Sequence, residues 1–196
     1  MKKYFLLLIS LIFLTGEVYC DTVLFCGYSR SKYHYDKYDT DTFSSFEVGL
    51  GVDGRYGWEN KKMIWGMDIL YLFNKDKVKF FNNYYKITPI YCDLYLKLKL
   101  LRYTSPYLLA GGSAGALFIQ GTNSQWEKLD NYNVKSRFDY GVVFGCGIQY
   151  ELFDTAFSVE VRYRLGLAKM KMSDAPIEFK RNSLEFLLKI HLLKFF

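Results

Sequence analysis

Histidine and serine are the residue types in this chain that could carry out hydrolysis, because a histidine beside a serine hydroxyl activates it as a nucleophile. His34 lies close in the sequence to Ser29 and Ser31, and His191 lies far away in the last segment. Neither histidine stands in a motif that brings a nucleophile, a base and an orienting group together. We therefore predict no enzyme, and we keep as an alternative a hydrolase that uses His34 at the rim of a barrel to cut lipids or peptides.

Charged residues of both signs form a larger candidate set, because they recur at every second position of several segments. Alternate residues of a β-strand point to the same side, so a narrow barrel could enclose them all. Enclosed in this way, they would form either a path for ions or a plug of ion pairs. About eight strands give an interior that side chains just fill, which favours the plug. The predicted charge network consists of Glu47, Asp53, Arg55, Asp68, Asp93, Lys97, Lys99, Arg137, Asp139, Glu151, Glu160, Arg162 and Arg164.

The cysteines do not have the spacing of a metal site. Cys26, Cys92 and Cys146 follow Cys20, and they form neither a CxxC pair nor a pattern with a histidine. We predict no metal and no cofactor, and we expect these cysteines to act as small apolar side chains. The net charge is +6 and the basic residues form no long run, which argues against nucleic-acid binding.

Alternation of apolar and polar residues with a period of two predicts the strands that position the charged side chains. Phe157 and Val159, for example, alternate with Ser158 and Glu160. Six segments show this pattern clearly, and two more are strand-like although their faces cannot be assigned. The clear segments are 46–58, 63–73, 90–100, 137–151, 157–167 and 184–196, and the weaker ones are 22–29 and 107–120.

Three features predict that the apolar faces point outward into lipid. Gly residues and charges of both signs share the polar faces, which suits the crowded interior of a narrow barrel. The apolar faces are long and unbroken, and a membrane-spanning strand needs about 9–11 residues. The connections alternate in length, as in barrels with long outer loops and short periplasmic turns. They are long and polar near 30–44, 74–86, 120–135 and 169–182, and short near 59–61, 102–105 and 153–155.

The sequence therefore predicts an all-β fold, an eight-stranded antiparallel up-and-down transmembrane β-barrel in the bacterial outer membrane. Closure is required because an open sheet edge would leave backbone groups unpaired in lipid. An even number of strands places both termini on the periplasmic side. Alternation alone also fits a soluble, lipocalin-like barrel that binds a ligand between inward apolar faces, and this is a second alternative.

The first residues predict export. Lys2 and Lys3 precede an apolar run over 4–14, which is shorter than the roughly 20 residues that span a bilayer and is typical of a cleavable signal peptide. We assign residues 1–20 to the signal peptide and 21–196 to the barrel domain, with cleavage after Cys20 or after Gly16. Lipidation of Cys20 is disfavoured, because no small residues precede it.

Three segments resemble the later strands of the PorT-like and OmpX-like family of bacterial outer-membrane β-barrel domains. They are 106–111 (PYLLAG), 139–147 (DYGVVFGCG) and 158–163 (SVEVRY). The final Phe196 is similar to the C-terminal aromatic residue that the barrel-assembly machinery recognises in such proteins. The resemblance implies an eight-stranded barrel in outer-membrane lipid, assembled by that machinery, and it implies no shared activity.

Aromatic residues suggest where the barrel would contact its surroundings. The long connection over 30–42 contains Tyr33, and the third one contains Trp126 and Tyr132. Such segments can bind extracellular proteins or glycans. Tyr107 lies near a short turn and is predicted to belong to an aromatic girdle at the membrane interface. We expect a monomer with a structural or surface-interaction role.

Overall fold

The alternating segments form eight long β-strands in this computed structural model, together with three short strands in the described residues. The structure describes residues 19–35, 38–39, 43–55, 63–72, 76–80, 83–100, 105–122, 135–152, 155–171 and 178–192. The long strands are β1 (Tyr19–Tyr35), β3 (Phe43–Arg55), β4 (Met63–Leu72), β6 (Asn83–Lys99), β7 (Ser105–Thr122), β8 (Lys135–Leu152), β9 (Thr155–Gly166) and β11 (Glu178–Leu192). The short strands are β2 (Tyr38–Asp39), β5 (Asp76–Phe80) and β10 (Met170–Lys171).

The long strands form one closed antiparallel sheet. Each pairs with the long strand that follows it in the chain, and the last, β11, pairs with the first, β1. This closing pair runs from Thr22 opposite Leu192 to Tyr35 opposite Phe179. Closure satisfies the backbone groups that lipid cannot pair. The predicted eight-stranded up-and-down barrel is confirmed.

The facing of the strands is that of a membrane protein. On β9, Val159 is 61 % exposed on the outer face, whereas Glu160 and Arg162 are fully buried on the inner face. The other long strands repeat this arrangement, with apolar residues outside and polar residues inside. A soluble lipocalin-like barrel would have the opposite arrangement, so that alternative is wrong for this fold.

The strand β7 shows why its faces could not be assigned from the sequence. Its outer face carries small residues, including Ala110, Gly112 and Ala114, while its inner face carries apolar Leu109 and Leu117. The two faces therefore differ little in hydropathy, although the alternation of exposure is regular.

The strands extend further into the predicted long connections than the sequence suggested. The strand β1 continues to Tyr35 and its last residues pair with β2, β5 pairs with β6, and β11 begins at Glu178. Beyond the membrane both faces of a strand meet polar surroundings, so the hydropathy period disappears while the hydrogen-bond ladder continues. The boundaries predicted near 30–44, 74–86 and 169–182 are wrong for this reason.

Two predicted features lie at the ends of the chain. Residues 1–18 of the predicted signal peptide and the predicted assembly residue Phe196 lie outside the described residues. Cys20 belongs to β1, where its backbone pairs with Gly54. In the described part of the chain, no helix is long and apolar enough to cross a membrane.

Candidate functional site

The inner faces of the strands bring most of the predicted charge network together. Ten of its residues are buried, and Arg137 is half-buried. The side chains of Arg55 and Glu151 lie outside the described residues, although their backbones belong to β3 and β8. The buried ones are Glu47, Asp53, Asp68, Asp93, Lys97, Lys99, Asp139, Glu160, Arg162 and Arg164.

Arg162 on β9 connects opposite walls of the barrel. Its Nη2 donates to Asp68 Oδ2 at 2.5 Å, and its Nη1 donates to Asp93 Oδ2 at 3.2 Å. Its Nε also pairs with Glu160 on the same strand. The strand that carries Asp68, β4, stands on the far side of the eight-strand ring from β9. The guanidinium therefore bridges the whole width of the interior.

Arg164 forms a second bridge beside the first. Its Nη2 donates to Asp93 Oδ2 at 2.7 Å, and its Nε donates to Ser113 Oγ at 2.9 Å. Its Nη1 pairs with Glu185 on β11. The Tyr91 ring lies under the guanidinium, 4.1 Å from its centre to Arg164 Cζ, a geometry that favours a cation–π interaction. Arg164 is thus fixed by three strands besides its own.

Two lysines complete the network toward the end with the short turns. Lys97 Nζ lies 2.6 Å from Asp53 Oδ2. Lys189 Nζ lies 2.5 Å from Asp68 Oδ2 and 3.5 Å from Glu160 Oε1. Buried charges are tolerated in proteins when they are paired and hydrogen-bonded, and these contacts meet that condition.

Five buried charged or titratable residues were missing from the sequence-based set. Alternation along β11 places Glu185, Lys189 and His191 on the polar face, and this signal could have identified them. Leu187 interrupts that face, which made it look less polar than it is. The residues missed are Asp21, Arg181, Glu185, Lys189 and His191.

A repeated three-strand arrangement anchors the carboxylates. In it, a tyrosine lies over a glycine of the neighbouring strand, and its hydroxyl donates to a carboxylate on the next strand. Three sets follow this pattern, with the middle glycine opposite both other residues in the sheet register. They are Tyr95–Gly66–Asp53 with an O–O distance of 2.9 Å, Tyr91–Gly115–Asp139 with 2.5 Å, and Tyr107–Gly147–Glu160 with 2.7 Å.

These arrangements need glycine because a side chain there would occupy the space of the ring. A Cβ atom on Gly147 would lie 2.6 Å from Tyr107 Cζ, and one on Gly115 would lie 2.5 Å from a ring carbon of Tyr91. Tyr107 is only 1 % exposed. The prediction that Tyr107 belongs to an interfacial girdle is therefore wrong, because its ring points into the barrel.

His191 takes part in an unpredicted serine–histidine–aspartate arrangement. Its Nε2 lies 2.9 Å from Ser158 Oγ, and its Nδ1 lies 3.5 Å from Asp53 Oδ2. The order resembles a nucleophile, a base and an orienting acid. All three side chains are almost completely buried, and Asp53 is shared with Lys97. The arrangement has the groups for hydrolysis but is enclosed by the barrel wall.

His34 does not form the serine pair considered from the sequence. It lies on the outer face of β1, whereas Ser29 and Ser31 are fully buried on the inner face. Residues at even and odd positions of one strand point to opposite sides, so the strand itself separates them.

An apolar and aromatic layer lies above the ion pairs, toward the end with the long connections. Tyr33 and Phe179 pack with their ring centres 5.8 Å apart. Ile87, Leu117 and Ile119 belong to the same buried cluster. The charged layer is therefore covered on this side by side chains that offer no path for ions.

The interior contains more acid than base. The described buried residues include eight carboxylates and six Lys or Arg side chains. Glu47 is fully buried, and neither of its carboxylate oxygens has a hydrogen-bond partner among the described residues. In the same residues, no group of three or more His, Cys, Asp or Glu side chains could hold a metal ion.

Comparison with known proteins identifies the architecture. The family model of the outer membrane protein β-barrel domain matches residues 18–185. The chain belongs to this family. As an outer-membrane barrel, it lies in the bacterial outer membrane with its apolar outer face against lipid. A comparison with curated proteins gives no match.

Solved structures show the same fold at low sequence identity. Neisserial surface protein A matches with a TM-score of 0.53 and 12% identity over 88% of this chain and 97% of that one. OprG from Pseudomonas aeruginosa matches with a TM-score of 0.48 and 15% identity over 90% and 97% of the two chains. Ail of Yersinia pestis, in a complex with the heparin analogue sucrose octasulfate, matches with 0.46 and 14% over 87% and 99%.

Proposed function

We propose that this outer-membrane barrel is a closed, non-conducting protein that acts through its extracellular end in a structural or surface-interaction role. The observation that supports this most is the pair of arginine bridges across the interior. Arg162 connects β9 to Asp68 on the opposite wall, and Arg164 connects it to Asp93. With the apolar layer above them, these side chains fill the cross-section through which a solute would pass.

Conductance across a planar lipid bilayer tests the closed interior. We expect the intact barrel to show no steady current, and the double variant Arg162→Ala with Arg164→Ala to leak. Lys180→Ala, a change of one cation on the outer face, is the control and should stay silent. A stable ohmic current through the intact protein would contradict a closed barrel.

The surface role is supported by the chemistry of the extracellular connections. The segment 123–134 contains Trp126 and Tyr132 among asparagine and charged residues, and aromatic residues dominate the energetics of many binding surfaces. Intact barrel in nanodiscs should bind one class of extracellular protein or glycan on an array. A variant with 123–134 replaced by a short glycine-containing turn should keep heat-modifiable gel mobility and lose that binding. Equal binding by both proteins would contradict the role of this connection.

A hydrolase is the second candidate, favoured only by Ser158, His191 and Asp53. We propose that these residues are structural, because all are enclosed and Asp53 is neutralised by Lys97. A fluorophosphonate probe distinguishes the two functions, since it labels activated serines. Labelling that is seen in the intact barrel and lost in Ser158→Ala would overturn the proposal that the protein is not an enzyme.

We further propose that the barrel is exported, assembled and monomeric. Residues 1–20 act as the signal peptide, and Phe196 is recognised by the assembly machinery. Pairing of Tyr19 and Cys20 with Arg55 and Gly54 supports cleavage after Gly16, because that cut keeps both residues in β1. The intact mass of the mature protein distinguishes the two cleavage sites and would also show a lipid on Cys20.

A further inference from the structure

The outer face of the barrel is charged at one end only. In the described residues, outward positions along the apolar band carry no charged side chain, whereas those just beyond it toward the long connections are mostly basic. We call this set the outer basic belt. It consists of Arg30, Lys32, His34, Lys77, Lys79, Lys86, Lys169 and Lys180.

The belt begins directly where the apolar band stops. On β1, the outward residues run from Leu24 through Tyr28 to Arg30 and Lys32. Tyr28 is 48 % exposed on the outer face, and tyrosine is typical of the membrane–water interface. The basic groups that follow it therefore lie at the height of the lipid headgroups.

Neighbouring strands bring the basic groups close together. Lys77 on β5 stands directly opposite Lys86 on β6. Arg30 and Lys32 face β11 at Leu184 and Asn182, one alternate position from Lys180. Like charges directly opposite each other destabilise a sheet, and an anion bound between them removes that repulsion.

Acidic residues do little to neutralise the belt. Glu178 is the one acidic side chain on this part of the outer face in the described residues, and its Oε2 lies 4.0 Å from Lys169 Nζ. Both side chains are exposed, with 69% of Lys169 accessible. A solvated pair of this kind contributes little, so the belt keeps a positive character.

We propose that the outer basic belt binds the phosphate groups of anionic lipids in the outer leaflet. Lys and Arg form charge-assisted hydrogen bonds with phosphate, and basic groups at the edge of an apolar surface attract anionic headgroups. The belt points sideways, in the same direction as the apolar band, and it lies on several strands around the barrel. This distribution suits a plane of headgroups better than a single soluble ligand.

The test measures lipid retained by the full mature barrel in detergent, using native mass spectrometry at low salt. The probes are bisphosphorylated lipid A and its dephosphorylated form. Two independent variants, Arg30→Gln with Lys32→Gln and Lys77→Gln with Lys86→Gln, each remove two belt charges. The matched control, Lys61→Gln with Lys62→Gln, removes two charges from the connection between β3 and β4 at the other end.

We expect the intact barrel and the control to retain the bisphosphorylated lipid preferentially. Each belt variant should lose about tenfold or more of this preference, because a basic group near an anionic surface contributes about fivefold. Heat-modifiable gel mobility shows that each variant is folded. Unchanged retention in both belt variants would overturn the proposal. So would equal retention of both lipid forms, or displacement of the lipid by soluble polyphosphate at matched phosphate concentration.

Discussion

Glu47 presents the clearest imbalance of charge inside the barrel. Its side chain is fully buried, and among the described residues neither carboxylate oxygen accepts a hydrogen bond. Glu160 is the opposite case, since it pairs with Arg162 and Lys189 and accepts the Tyr107 hydroxyl. Two glutamates in one interior are thus expected to respond in opposite ways to the same isosteric change.

Replacing Glu47 by Gln removes an uncompensated buried charge and should raise the free energy of unfolding by about 1–3 kcal/mol. Replacing Glu160 by Gln leaves Arg162 and Lys189 with less compensation and should lower it by about 3–5 kcal/mol. Urea unfolding of both variants in the same lipid, followed by tryptophan fluorescence, checks the two signs. A loss of stability in Glu47→Gln would show that this carboxylate is compensated in the native barrel.

The charged residues were predictable from the sequence because the period of two assigns each side chain to a face. Their partners were not predictable, since Arg162 and Asp68 are 94 residues apart and meet only across the closed ring. Tyr107 was assigned to the wrong side for a related reason. A tyrosine suits both an interface and a hydrogen-bonded interior, and only the neighbouring strand distinguishes the two.

At the scale of the strands, the three Tyr–Gly–carboxylate sets connect the choice of residue to the register. Each set needs a glycine on the middle strand, since the tyrosine ring crosses over it to reach the next strand. Glycine weakens a strand by itself, but the covering ring replaces the missing side chain and fixes the relative position of three strands. The sequence shows the glycines in inward phase, but which tyrosine covers each one depends on the register.

Gly147 and Gly112 provide a matched test of this arrangement. A Cβ atom on Gly147 would lie 2.6 Å from Tyr107 Cζ, whereas one on the lipid-facing Gly112 would meet nothing within 4 Å. We expect Gly147→Ala to cost about 1–3 kcal/mol through overpacking, and Gly112→Ala to be neutral or stabilising by about 0.4–1 kcal/mol. The free energy of unfolding in urea measures both.

Tyr107→Phe separates the contact of the ring from the hydrogen bond to Glu160. It should cost about 1.5–3 kcal/mol, as expected for a lost hydrogen bond to a charged group. Equal stability of Gly147→Ala and Gly112→Ala would mean that the Tyr107 ring can move away, and the arrangement would then not fix the register.

For the whole molecule, the decisive property is that the interior is polar and the exterior apolar. The sequence showed the alternation but left its direction to argument, because a soluble barrel and a membrane barrel share the same period. Glycine and paired charges on the polar face, together with connections of alternating length, favoured the membrane form. The strand ends were less predictable, since hydropathy no longer alternates where both faces of a strand meet water.

Depth in the membrane gives the last prediction. Val161 lies in the middle of the outward apolar series of β9, between Val159 and Tyr163, while Leu167 lies at its outer edge beside Lys169. An arginine on the lipid face costs about 2–4 kcal/mol near the middle of the bilayer and about 0–1 kcal/mol near an interface. Val161→Arg should therefore impair folding into lipid vesicles strongly, and Leu167→Arg should fold like the parent protein, because its guanidinium can reach the headgroups. Folding yield by heat-modifiable gel mobility and urea titration measure both effects. If the two variants folded equally well, the apolar band would not be centred on Val161, and the height assigned to the outer basic belt would be wrong as well.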